Sequence, residues 1–311
     1  MFASLSALIA PQLTSLEVHL GPEHTVQPFA SICPSEAARK ALSTLPNLAR
    51  LQLGNVSVWL HELVEMMRGW ENLKALHIDL IRGDCTRTSA VLKIALKCRL
   101  RSLRIKTSSM TNEMTAWLLE GHSELEELAL PVQGFDDRML ASLEKVMASL
   151  KTLDLRDMWA DHKRTATPRK ADLGKSKDAA SADDESFTIA DKEIELPPIF
   201  RMLKATSCPD ALHLNPTILP NGMCTPEGIS AIAASMLEVE TLAFDAFPPS
   251  SSVYPAFAAA IRDDELPFLK HVEIASQSGT GKTKASTQGK GLKELQSACK
   301  ARNIAWTLAS E

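Results

Sequence analysis

Apolar residues along this chain recur in one short phrase, with the spacing apolar-x-x-apolar-x-apolar. The phrase is clearest at Leu100-x-x-Leu103-x-Ile105, Leu125-x-x-Leu128-x-Leu130 and Leu150-x-x-Leu153-x-Leu155, where successive copies stand 25 residues apart. A fixed period in this range signals a repeat architecture. Upstream copies are Leu13-x-x-Leu16-x-Val18, Leu48-x-x-Leu51-x-Leu53 and Leu73-x-x-Leu76-x-Ile78. Downstream come Pro209-x-x-Leu212-x-Leu214, Val239-x-x-Leu242-x-Phe244 and Leu269-x-x-Val272-x-Ile274, and Ala301-x-x-Ile304-x-Trp306 closes the series.

Within each phrase the last residues alternate apolar and polar, the period of a half-buried strand. Between phrases the apolar spacing turns helical, as at Leu60, Leu63, Val64 and Met67; at Val91, Leu92, Ala95 and Leu96; at Met114, Trp117 and Leu118; at Leu140, Leu143, Val146 and Met147; and at Ile229, Ile232, Ala233 and Met236. The Met and Trp residues at these spacings are predicted core. Strand then helix, repeated over short connections, predicts parallel strands joined by crossovers. One such unit cannot bury its own apolar side, so the units stack into a solenoid. The expected architecture is an α/β solenoid of about ten strands, with a parallel sheet on its concave side and helices on its convex side.

The phrase L-x-x-L-x-L, set in helix-bearing units of this length, resembles the leucine-rich repeats of the ribonuclease-inhibitor-like class. The resemblance covers nearly the whole chain except residues 160–196. It departs from the family where an Asn or Cys should stand three residues after the last Leu, for those places hold Val56, Ile81, Ser108, Gln133 and Met158. The side-chain ladder that caps each turn is therefore missing, which predicts irregular turns. Degenerate repeats of this kind are similar to those behind F-box domains in fungal adaptor proteins. That resemblance implies a substrate-binding role in a ubiquitin ligase, with ligase subunits as partners if an F-box lies upstream. The chain begins inside a repeat, so the expectation is either a fragment of a longer product or a partner covering the first strand.

Composition narrows the field. The chain has 311 residues, 45% of them hydrophobic and 5% aromatic, so its core must be mostly aliphatic. A net charge of -4 provides no global field for nucleic acid or an anionic membrane. Met1 to Ala10 is apolar but lacks the basic start of a signal peptide and reads as the helix of a first repeat. No stretch reaches the roughly 18 apolar residues of a membrane span. An intracellular protein, cytoplasmic or nuclear, is expected. Cys33, Cys85, Cys98, Cys208, Cys224 and Cys299 contain no C-x-x-C pair and read as buried thiols of a reducing compartment.

Three segments are predicted: repeats over 1–159, a charged insert over 160–196, and repeats of the same solenoid over 197–311. The insert runs from basic (Lys163, Arg164, Arg169, Lys170) to acidic (Asp183, Asp184, Glu185, Asp191) and has too little apolar surface to offset its ordering entropy. Within it, Thr167-Pro168-Arg169-Lys170 resembles a proline-directed kinase site, and Ser181 precedes an acidic cluster of the kind acidophilic kinases prefer. Long connections follow strands while helix-to-strand turns are short. That asymmetry marks either a binding edge or an edge where loops are tolerated.

Signs of catalysis are thin. Ser276-Gln277-Ser278-Gly279-Thr280-Gly281-Lys282-Thr283 resembles a phosphate-binding loop, but Ser276 replaces the first Gly and the residues after Thr283 start a helix poorly. The eight histidines show no H-x-x-x-H spacing and no G-x-S-x-G elbow occurs. Neither an enzyme nor a cofactor or metal is expected. What remains is the strand face turned away from the helices. Alternation sets Gln52, His77, Arg104, Ala129, Asp154 and His213 in one row, and Gly54, Asp79, Lys106, Pro131 and Arg156 in the next. His77, Asp79, Arg104, Lys106, Asp154 and Arg156 are the predicted contacts for a protein or peptide on the concave face. The alternative is a scaffold that makes its contacts through the helical side.

Overall fold

The computed structural model describes residues 12–19, 33–83, 96–131, 135–155, 196–206, 208–214, 225–245, 252–275 and 290–309. Outside them lie the Met1–Ala10 segment, Val91, Leu92 and Ala95, residues 160–195 of the insert with Thr167 and Ser181, Arg156, and the Ser276–Thr283 loop. Ten strands form one sheet in chain order: β1 (Ser15–His19), β2 (Arg50–Trp59), β3 (Ala75–Arg82), β4 (Ser102–Ser108), β5 (Glu127–Ala129), β6 (Thr152–Leu155), β7 (Ala211–Leu214), β8 (Thr241–Asp245), β9 (His271–Ala275) and β10 (Ala305–Ala309). All nine pairings are parallel. Described helices are α1 (Glu36–Ser43), α2 (Leu60–Met67), α3 (Asn112–Glu120), α4 (Asp137–Met147), α5 (Pro198–Ala205), α6 (Pro226–Ala233), α7 (Val253–Arg262) and α8 (Lys290–Ala301).

The phrase sets the register. Leu16, Leu51, Leu76, Leu103, Leu128, Leu153, Leu212, Leu242 and Val272 stand side by side across nine strands. From Leu51 onward each of them is buried, and burying one such side chain contributes about 1.5–3 kcal/mol. Helices supply the opposite wall of that core through Leu63, Val64 and Met67 of α2, Met114 and Leu118 of α3, Leu143, Val146 and Met147 of α4, and Ile229 and Ile232 of α6. Trp117 is packed there only in part. Small polar or acidic residues start four of the described helices: Ser35, Thr111, Asp136 and Thr225 accept from the amides of Ala38, Met114, Met139 and Gly228.

The last copy of the phrase is displaced. Trp306, expected at its third apolar place, pairs with Val272 and so holds the second, while Leu308 pairs with Ile274 and holds the third. A shift of two keeps every side chain on its face, so alternation alone cannot detect it. The shift comes from the turn after α8, where Asn303 takes a left-handed φ of 56° and the strand begins only at Ala305.

The places that lack the family's Asn or Cys also depart from a simple turn. Val56, Ile81 and Ser108 lie within β2, β3 and β4, which run on past the phrase. Between Leu53 and Ser57 the β2 register slips relative to β3, with Asn55 at a φ of 57°. Gly54 lies beside that bulge, where an added Cβ would meet the His19 ring at 2.1 Å and displace that exposed side chain.

The cysteine reading fits two of the four described thiols, since Cys208 is only half-buried and Cys33 is exposed; Cys85 and Cys224 lie outside the described residues. Cys98 and Cys299 are buried, and burial pushes both thiols up to about 11. Cys208 is pushed to about 12 by burial and then by Glu238 and Asp210. Cys33, however, is exposed, since it precedes the first turn of α1 at the surface.

Candidate functional site

Because the strands are parallel and their phrase residues point at the helices, the intervening residues share the other face of the sheet. On β2 to β6 this face forms a hollow of about 410 Å³, lined by Gln52, His77, Asp79, Arg104, Lys106, Ala129 and Asp154 together with Ile78, Ile105 and Leu130. Five of the six predicted contacts therefore meet in one place. Gln52, His77, Arg104, Ala129 and Asp154 are direct neighbours in the ladder.

The structure gives these residues distinct roles. Asp79 accepts the Asn55 backbone N–H at 2.7 Å through Oδ2 and so holds the β2 bulge. Asp154 is 9% exposed, which leaves little of it for a ligand. Arg104 and Lys106 are exposed, and among the described residues Lys106 makes no ion pair.

Two residues outside the predicted rows complete the site. The Ser102 hydroxyl donates to Glu127 Oε2 at 2.9 Å, and Arg104 donates to the same oxygen at 3.2 Å. His77 Nε2 lies 3.1 Å from Ser102 Oγ. Since Ser102 spends its proton on Glu127, the ring must donate, which places the proton of neutral His77 on Nε2. Burial raises the Glu127 carboxyl, but the Ser102 hydroxyl and the Arg104 guanidinium outweigh it and hold the group below the usual carboxylate range. Burial, then Arg104 and Arg50, lowers His77, against an opposing pull from Glu127. At neutral pH the ring is therefore uncharged.

Ser102, Glu127 and Arg50 sit one outward position before the rows singled out above, next to the first apolar strand residue. Alternation extended by two residues finds them. Their bonding to one another is invisible in the sequence, because it joins residues about one repeat apart. At the strand ends beside the hollow, Arg82 lies over the Trp59 ring, 5.7 Å from its centroid. Among the described residues, no group of three or more His, Cys, Asp or Glu is placed to hold a metal ion. No described helix is long and apolar enough to cross a membrane.

No protein-family model matches the chain, and neither does any curated protein. Among solved structures, the leucine-rich repeat-containing protein LegL7 from Legionella pneumophila matches 100% of this chain and 87% of its own, with 15% identity and a TM-score of 0.50. The fold is a leucine-rich-repeat solenoid. At that identity the likeness concerns the backbone alone, and the residues of the hollow must be judged on their own chemistry.

Proposed function

We propose that this solenoid is a protein-recognition module that binds a protein or peptide across the helix-free face of its sheet, centred on the hollow over β2 to β6. The observation that supports this most directly is the organisation of that hollow. A hydrogen-bonded set of His77, Ser102, Glu127 and Arg104 ties β3, β4 and β5 together on this face, and the exposed cations Arg104 and Lys106 line the hollow. Interfaces use such partly desolvated Arg groups as anchors. Affinity capture with the wild-type chain and with an Arg104→Glu, Lys106→Glu variant tests the reading. Loss of a captured partner by about tenfold or more is expected, because reversed charges at a matched interface repel. An identical partner set from a variant with an unchanged melting curve would instead favour contacts through the helices.

A finer assignment, the substrate-binding part of an F-box-type ubiquitin-ligase adaptor, is supported by the resemblance of the degenerate repeats to those of fungal adaptors. It requires an F-box in the same gene product. Co-purification of cullin-type ligase subunits with the full product would support it, and their consistent absence would remove it.

A further inference from the structure

Two cations on this face, Arg50 and Lys106, stand in line with the His77 ring between them, along a path that an extended chain could follow. Arg50 opens β2, His77 lies one strand over and two residues further along, and Lys106 repeats the same step onto β4. With strands about 4.8 Å apart and alternate residues about 6.6 Å apart, the three stand on a diagonal with steps of about 8 Å at the backbone. Alternate side chains of an extended peptide project on one side about 6.6 Å apart, close enough for flexible side chains to meet each station in turn.

The charges on this face are not equally available. On β2 to β6 its carboxylates are engaged within the molecule: Glu127 accepts from Ser102 and Arg104, Asp79 accepts from the Asn55 amide, and Asp154 is buried. Arg50 and Lys106 are exposed and make no ion pair among the described residues. From this geometry we propose that the site takes an acidic segment of a partner protein, extended diagonally over β2 to β4 with carboxylates at alternate positions on Arg50, His77 and Lys106. This rests on the recognition reading above and adds the chemistry of the partner.

His77 makes such binding pH-dependent. The groups facing it are Arg50 from β2, Arg104 and Lys106 from β4, Glu127 from β5 and Asp154 from β6, with Asp79 on its own strand. Burial, and then Arg104 and Arg50, keep the free ring neutral, whereas a carboxylate placed over it favours the protonated form. Its Nε2–H bond to Ser102 survives protonation, and Nδ1 becomes a second donor. Binding therefore takes up a proton and strengthens as pH falls.

Fluorescence anisotropy with three labelled decapeptides, in which glycine alternates with glutamate, glutamine or lysine, tests the proposal at low salt. The glutamate peptide is expected to bind about tenfold or more tighter than the glutamine peptide, and to lose that margin in Arg50→Glu and in added salt. Its affinity should rise between about pH 7.5 and about pH 5.5 in the wild type and stay level in His77→Gln. Both variants change partly exposed side chains, and a thermal melt identifies any that fails to fold. Equal binding of the glutamate and glutamine peptides overturns the proposal, as does tighter binding of the lysine peptide. Tighter binding of a single-stranded DNA probe also overturns it, in favour of nucleic acid. If Arg104→Glu, Lys106→Glu releases a captured partner while the glutamate peptide shows no preference, the recognition reading stands and the acidic chemistry alone fails.

Discussion

At about pH 4.5 the protein should be about 2.5 kcal/mol less stable than at pH 7 through His122 alone. This ring is fully buried at the end of α3, and its Nδ1 accepts the Leu100 N–H at 3.4 Å. Burial, and then the nearby Arg99, lowers its pKa to about 4 from the 6.5 of an exposed histidine. A folded-state pKa below the unfolded one means that the unfolded chain takes up the proton first. The contribution is therefore complete above pH 6.5 and is lost progressively as pH falls towards 4. Protonation also turns Nδ1 from acceptor to donor, so the Leu100 amide loses its partner. Urea unfolding across this range, with His122→Phe as reference, isolates the effect. The variant should be less stable at pH 7 but flatter in acid, and parallel curves for the two proteins would rule the account out.

The second large effect follows from the register. Ile105 and Leu308 occupy the same third place of the phrase, yet Ile105 is 2% exposed and Leu308 48%. Ile105→Ala should cost about 2–5 kcal/mol, the range for an aliphatic side chain removed from a packed interior. Leu308→Ala should cost less than about 1 kcal/mol, because little contact is lost. Had the closing phrase ended at Trp306, as the apolar pattern suggests, Leu308 would lie outside the repeat altogether. Similar losses from the two substitutions would show that Leu308 is covered in solution and that the assigned burial is wrong.

These cases show why the fold was readable and parts of the site were not. Nine strands fall into register on the apolar phrase because each buried Leu must face the same helices, a constraint written locally into every unit. The tenth slips by two because alternation is blind to that shift, and the turn at Asn303 settles it. Arg104 and Lys106 could be placed on the outer face by parity alone. The bonding of Ser102 and Glu127 could not, since it depends on side chains from adjacent strands meeting across the sheet. Asp79 illustrates the converse: parity placed it correctly, while its bond to the Asn55 amide gives it work inside the fold. The missing Asn or Cys gave no sign that β2, β3 and β4 would extend through Val56, Ile81 and Ser108.

The width of the sheet also varies, and this bears on how the molecule comes apart. β5 joins each neighbour through three paired residues, against seven between β2 and β3 and six between β3 and β4. In a stack where each unit touches only its neighbours, cohesion is a sum of local seams. The β5 seam is then the natural breaking line, dividing a tightly zipped front block from the rest. Amide hydrogen exchange should outline it, with Leu128 and Ala129 trading protons sooner than Leu51 and Leu76. Since Ala129 and Asp154 belong to the hollow, one rim of the binding face would then loosen while the Arg50–His77–Lys106 diagonal stays whole on the firmer side.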